Sequence, residues 1–205
     1  MALHQSPVRS RRVVGTRRPD RKRLTPSMNL LSPYRVLDLT DVRGQIAGMM
    51  LGDLGADVIR VEPREGSAAR SVGPLLDARP DNELDRSLSF AAYNRNKRSI
   101  ALDFADETDR SRFLELVRGA DFVLDSGPPS LLDEAGLGHD QLLEVNPQIV
   151  HVRVTPFGSD GPYADLPAAD LTIAALAGPM SLQGERDRAP LRLSVPQAWR
   201  HAGAE

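Results

Sequence analysis

Five short aliphatic runs constrain this chain more than any other feature: Val36–Leu39, Val58–Glu62, Ser99–Leu102, Phe122–Leu124 and Ile149–Val154. Several are nearly continuous rather than alternating, the pattern of parallel strands covered on both faces. Helical stretches separate them, over Gln45–Leu54 and Thr108–Arg118. In the second, Phe113, Leu114, Leu116 and Val117 form one stripe, and Gly119 supplies a stop. Strand, helix, strand in repetition demands crossovers, which are right-handed and build an open α/β sheet. The fold class predicted is therefore α/β, a mostly parallel open sheet with helices on both faces. With 205 residues, 40% of them hydrophobic, one domain can bury a core.

Charge is distributed unevenly. Residues 1–27 carry eight Lys or Arg against the single acid Asp20, which leaves 18 basic and 27 acidic side chains, a net of −9, on residues 28–205. The tail reads as a basic, disordered extension, with Met28 directly before the first ordered-looking segment. A transit peptide or a nucleic-acid arm is the competing reading of the same residues. The acidic remainder gives no pull toward nucleic acid, and no apolar stretch approaches the ~20 residues of a membrane span. No cysteine occurs. That removes disulfides, thiolate nucleophiles and Cys-based metal sites, and a reducing cytoplasm fits by default.

Familiar chemistries find little support. Gly44, Gly48, Gly52 and Gly55 follow the first strand at spacings that do not match the G-x-G-x-x-G of dinucleotide sites, so NAD is not expected; these glycines suit a helix packed closely on the sheet. Neither a Walker A sequence nor a G-x-S-x-G elbow is present. His4, His139, His151 and His201 are scattered without ligand spacing, so no metal is expected. Trp199 suggests a core anchor. Two long loops, Arg64–Ser87 and Pro156–Pro167, invite function, and the second precedes a small-residue helix, Asp170–Ala177.

The run NRNKRSIALDF stands out. Asn94, Arg95, Asn96, Lys97 and Arg98 form a basic loop leading into an apolar strand. Arg and Lys bind phosphates through charge-assisted hydrogen bonds, and Asn adds donors, so an anionic cofactor suits Asn94, Asn96, Lys97 and Arg98. A solvated turn is the plainer alternative.

Taken in order, RVLDLT, LGDLGADVIRVEP, NRNKRSIALD, ADFVLD, GLGHDQLLEVNPQIVHVRVTPFG, GPYADLPAAD and ALAGPM resemble the family III CoA-transferases. That CaiB/BaiF-type family includes the formyl-CoA transferases and the α-methylacyl-CoA racemases. The likeness runs from Leu31 to Met180. It implies a Rossmann-like large domain, with residues 28–205 as its N-terminal part and a second domain missing in a truncated chain. It also implies coenzyme A or acyl-CoA as substrate, movement of CoA between an acyl-CoA and a carboxylic acid, and interlocked dimers. The expected partner is a related full-length subunit, in a homo- or heterodimer.

Where the family carries its chemistry, this chain departs. The nucleophilic aspartate, which would pass through an aspartyl-CoA thioester, falls at Trp199-Arg200, and the racemase histidine at Ala169. The family's Asn-Phe cofactor pair reads Ser126-Gly127, a later basic residue reads Glu134, and Ala-Gly-Pro after the first strand reads Arg43-Gly44-Gln45. Asp170 is the remaining acid near the family's active site, with capping of the helix that follows it as its structural role. The expectations are a CoA-transferase by resemblance, a non-catalytic scaffold subunit of a heteromeric enzyme, a racemase-like protein, or a truncated product that exposes apolar surface when alone.

Overall fold

The computed structural model describes residues 30–77, 83–127 and 130–205. His4, the basic tail and Met28 lie outside them. The elements are β1 (Arg35–Asp38), α1 (Gln45–Asp53), β2 (Asp57–Glu62), α2 (Leu88–Tyr93), β3 (Lys97–Ala101), α3 (Glu107–Arg118), β4 (Phe122–Ser126), α4 (Leu131–Glu134), α5 (His139–Val145), β5 (Val150–Val154), α6 (Asp170–Leu176) and α7 (Ala198–Ala202). Their five strands form one parallel sheet in the order β3-β2-β1-β4-β5. The predicted open α/β sheet is what forms. Its strand order reverses between β1 and β4, the switch point where ligands of such sheets sit, outside the carboxyl ends of the strands.

Local chemistry explains the clearest helix. The Asp106 side chain caps α3, accepting from the backbone N–H groups of Thr108 and Asp109, with Glu107 and Asp109 in the first turn and Arg118 in the last. Both charge signs match the helix dipole. Phe113 and Val117, one turn apart, are fully buried.

The two-residue period of the strands divides the sheet into unlike faces. Leu37, Leu39, Ile59, Val61 and Val123 pack with Phe113, Val117, Leu132, Leu142 and Ile149 in an aliphatic core. On the other face Val36, Val58 and Leu124 form a smaller cluster with Ala56. Beside them, Asp38, Arg60 and Glu62 are just as deeply buried.

Three expectations need correction. Strand β3 begins at Lys97, two residues before the predicted start, because Asn96 closes the turn in the left-handed region (φ 61°) and Lys97 already pairs with Val58. Lys97 and Arg98 therefore belong to a strand rather than a loop. Trp199 is half-buried on α7, outside both hydrophobic clusters, because that short helix sits on the rim and not in the core. Finally, α2, α4, α5 and α7 were absent from the pattern reading, since none is long enough to display a 3.6-residue period; α2 has six residues, started by the Ser87 hydroxyl accepting from Phe90 N–H. Beyond Pro156 only Ala174 and Gly203 are buried, while Leu176, Leu182 and Leu191 are well exposed. Among the described residues no helix is long and apolar enough to cross a membrane.

Candidate functional site

The polar face of the sheet is built around Asp38, the last residue of β1. One carboxylate oxygen accepts from Thr40 N–H (2.9 Å), Thr40 Oγ1 (2.7 Å) and Arg60 Nη1 (3.2 Å); the other accepts from Lys97 Nζ (2.7 Å). Burial pushes this carboxyl up, but Arg60 and Lys97 outweigh it and hold the group below its ordinary range. Lys97 also donates to Gln45 O (2.8 Å) and Asn94 Oδ1 (2.9 Å), which uses all three ammonium donors. Helix α1 can lie this close only through glycine. A Cβ at Gly48 would stand 2.3 Å from Asp38 Oδ2 and 3.1 Å from Lys97 Nζ.

A second anion, Glu62, ends β2. It accepts from Arg70 Nε (2.7 Å) and Nη2 (2.8 Å), Ser67 N–H (3.2 Å) and Ser99 Oγ (2.9 Å). Burial raises this carboxyl, and the bonds from Arg70 and Ser67 more than reverse that. The Arg70 guanidinium lies over the Phe90 ring at 4.0 Å. Arg60 is 2% exposed, and its Nε has no hydrogen-bond partner.

Two cavities adjoin Glu62. One, about 350 Å³, is lined by Arg60, Glu62, Arg70, Phe90, Asn94 and Lys97, among others. The other, about 450 Å³, opens at the carboxyl ends of β2 and β3, between Pro63, Arg64, Leu102, Asp103, Phe104 and Glu134. At the switch point the loops after β1 and β4 are tied together. Asp41 N–H donates to Ser126 Oγ (2.8 Å), and Arg43 pairs with Asp41 (2.7 Å) while donating to Gly127 O (2.9 Å).

The four residues read as cofactor contacts do not converge. Asn94 and Lys97 line the smaller cavity. Asn96 donates to Asp53 (2.7 Å), and Arg98 pairs with Asp57, which also holds Arg35 (2.8 Å), all at the amino end of the sheet. Contrary to the capping role that the sequence suggests, Asp170 does not cap its own helix. Ala169 occupies the N-cap position without a side-chain bond, one residue ahead, so the Asp170 carboxylate reaches across instead, to Gln197 N–H and Trp199 N–H (3.0 Å each) at the start of α7. Ser126, Gly127 and Glu134 do surround the carboxyl ends of the strands. The His151 side chain is buried, with Nε2 3.7 Å from Asp125 Oδ2, and stacks on His139. Among the described residues no cluster of three or more His, Cys, Asp or Glu is arranged to hold a metal. Sequence reading missed the central members Asp38, Arg60 and Glu62. The available signal was a charge inside or ending an otherwise aliphatic run, as in VLDLT and VIRVE.

Comparison with known proteins agrees with the fold. The profile of CoA-transferase family III matches residues 31–204. The succinyl-CoA:(R)-benzylsuccinate CoA-transferase subunit BbsE of Thauera aromatica is 40% identical over 84% of this chain and 42% of its own length. An acetyl-CoA:oxalate CoA-transferase of Acetobacter aceti is 38% identical over 77% of this chain and 39% of its own. A crystal structure of a CAIB/BAIF family protein from Brucella suis superposes with a TM-score of 0.74 at 36% identity, covering 83% of this chain and 46% of that one. The chain thus spans less than half the length of these relatives.

Proposed function

The chain belongs to CoA-transferase family III, and from that premise we propose that it forms the cofactor-binding sheet of an enzyme that moves CoA between an acyl-CoA and a carboxylic acid. One observation carries the reading: the roughly 450 Å³ cavity outside the carboxyl ends of β2 and β3, on the side of a parallel sheet where ligands of such folds bind. Residues 28–205 then correspond to the N-terminal part of the family's large domain. Arg64, whose side chain is 59% exposed at the cavity mouth, is the cation on hand for a phosphate, once it gives up part of its bond to Asp109. The basic run contributes indirectly: Lys97 and Asn94 fix the polar face, while Asn96 and Arg98 fasten the amino end.

The exchange needs a carboxylate to attack the thioester carbon and expel the CoA thiolate, with a covalent acyl carrier as the resting point. The position expected to supply it reads Trp199-Arg200, and both oxygens of Asp170 are occupied by backbone N–H groups. A second reading follows, a scaffold subunit that binds CoA while a related partner supplies the carboxylate. The name of the Thauera relative, a subunit, favours it.

Titration calorimetry of the whole chain with CoA tests the first step. Saturable binding is expected, and its absence from protein that circular dichroism shows to be folded overturns the cofactor reading. CoA transfer by the chain alone would overturn the scaffold reading; transfer only after co-expression with an aspartate-bearing relative would support it.

A further inference from the structure

The smaller cavity, about 350 Å³, lies on the charged face, and the function proposed above makes no use of it. Its volume is within the range of small-molecule sites. Arg60, Glu62 and Lys97 line it from β2 and β3, while Leu76, Leu88 and Phe90 give it an apolar wall. Among the described residues only Glu62 lines both this cavity and the larger one.

The charges around it are matched. Arg60 and Lys97 share Asp38, and Arg70 pairs with Glu62 and Asp85, so three cations stand against three acids. The neutral donors at its wall are committed as well: Ser99 Oγ donates to Glu62, Ser87 Oγ to Val72 O, and Asn94 Nδ2 to Gln45 Oε1 and Phe90 O. Arg60 is the exception. Bonds from Nη1 to Asp38 and from Nη2 to Ser67 fix its guanidinium, yet its Nε–H, in a side chain only 2% exposed, has no partner. An unpaired buried donor costs free energy that the acceptor of a ligand recovers. Water along the apolar wall finds few partners, so an apolar group that displaces it gains affinity.

We propose that this cavity is a binding site for a small neutral ligand, an apolar body carrying one carbonyl oxygen. Arg60 Nε–H donates to that oxygen, and Leu76, Leu88 and Phe90 enclose the body. One open donor matches one acceptor. A carboxylate or phosphate calls for several donors and would add an unbalanced charge beside Glu62. A cation with donors alone offers Nε–H nothing. The site goes beyond the CoA reading and does not depend on it.

The test titrates the full chain with acetophenone, benzoate and benzamidinium, three probes of nearly one shape that differ in charge. Calorimetry reads affinity, and heteronuclear NMR follows the Nε–H signal of Arg60. Acetophenone should bind with a Kd of about 1 mM, as its size allows, and move that signal. Both charged probes should bind about tenfold more weakly, the scale of one mismatched hydrogen bond. Arg60→Lys keeps a charge for Asp38 but has no Nε–H, and should lose binding. Should it fail to fold, Ala91→Leu decides, since Ala91 is an exposed residue of α2 at the cavity wall and a larger side chain there fills the space. Leu88→Ala should weaken binding roughly threefold, because that side chain already meets solvent in part. No binding of acetophenone, equal or tighter binding of either charged probe, or binding that survives in Ala91→Leu overturns the proposal. Displacement of acetophenone by CoA also overturns it, by making this cavity part of the cofactor site. A chain that binds acetophenone at Arg60 but not CoA upholds this site while the CoA reading falls.

Discussion

The two faces of the sheet reach the same depth of burial by opposite means. On the face covered by α3 and α5, Leu37, Ile59, Val61 and Val123 meet Phe113, Val117 and Leu142. Such packing is non-directional, and its stabilisation scales with apolar area. On the face covered by α1 and α2, the same strands present Asp38, Arg60 and Glu62 to Lys97, Ser67 and Arg70. There the interactions are directional, and each group depends on its partners being in place. A buried network of this kind is a weak source of net stability, yet it fails badly when one member is removed. The aliphatic face thus fixes that the sheet forms, and the charged face fixes how α1, α2 and the strand ends are arranged around the two cavities.

The largest effect should come from removing the shared anion. Asp38→Ala takes from Lys97 and Arg60 the one carboxylate that bonds them directly and leaves both cations buried, a loss of about 3–5 kcal/mol by analogy with broken buried pairs. Phe113→Ala, on the other face, should cost a similar ~3–5 kcal/mol through its cavity. Conservative changes separate the two. Phe113→Leu keeps most of the volume and should recover much of the loss, whereas Asp38→Asn keeps the volume but not the charge and should recover little. Urea unfolding of the four variants checks this; full recovery in Asp38→Asn would mean that the charged face behaves like an ordinary core.

These same residues explain what the sequence could and could not convey. The aliphatic runs specified parallel strands because Val, Ile and Leu need cover on both sides, and all five strands stand within two residues of their expected ends. The sheet order followed from crossover chirality only in part, since the reversal between β1 and β4 depends on long-range pairing. The site was less legible. Arg60 and Lys97 look like solvated charges in a linear reading, and only the register that sets Arg60 beside Asp38 reveals a buried network. Asp170 was read as a local cap because its partners, 27 and 29 residues away, are invisible to local pattern.

An effect of intermediate size belongs to the rim of the aliphatic face. Bonds from Arg64, the Asp103 N–H and Arg112 hold the Asp109 carboxyl down at about 2, from an ordinary value of 3.8. A carboxyl depressed in the folded state contributes stability that is fully present above the unfolded value and is lost as pH falls through the folded one. The contribution should therefore disappear between about pH 4 and pH 2. Both arginines are more than half exposed, so solvent screening limits it to roughly 1 kcal/mol. Unfolding curves taken across this window should flatten in Asp109→Asn relative to the native chain; an unchanged slope would remove Asp109 from the account.

The smallest effect is expected where the basic run faces solvent. Arg98 pairs with Asp57 through a side chain that is 63% exposed, and Asp57 retains Arg35 when Arg98 is lost. Exposed pairs contribute about 0–1 kcal/mol, so Arg98→Ala should shift the urea midpoint little. Lys97→Ala, one residue away, removes a fully committed ammonium from beneath α1 and leaves Asp38 with Arg60 as its only cation, so its loss should approach that of Asp38→Ala. The two neighbours also bear differently on the ligand. If CoA is held at the carboxyl ends of the strands, Arg98→Ala should leave its affinity within about twofold, a margin set by screened charge at this distance. A larger loss of affinity, with stability unchanged, would return the amino-end cations to the binding surface and move the cofactor away from the carboxyl-end cavity.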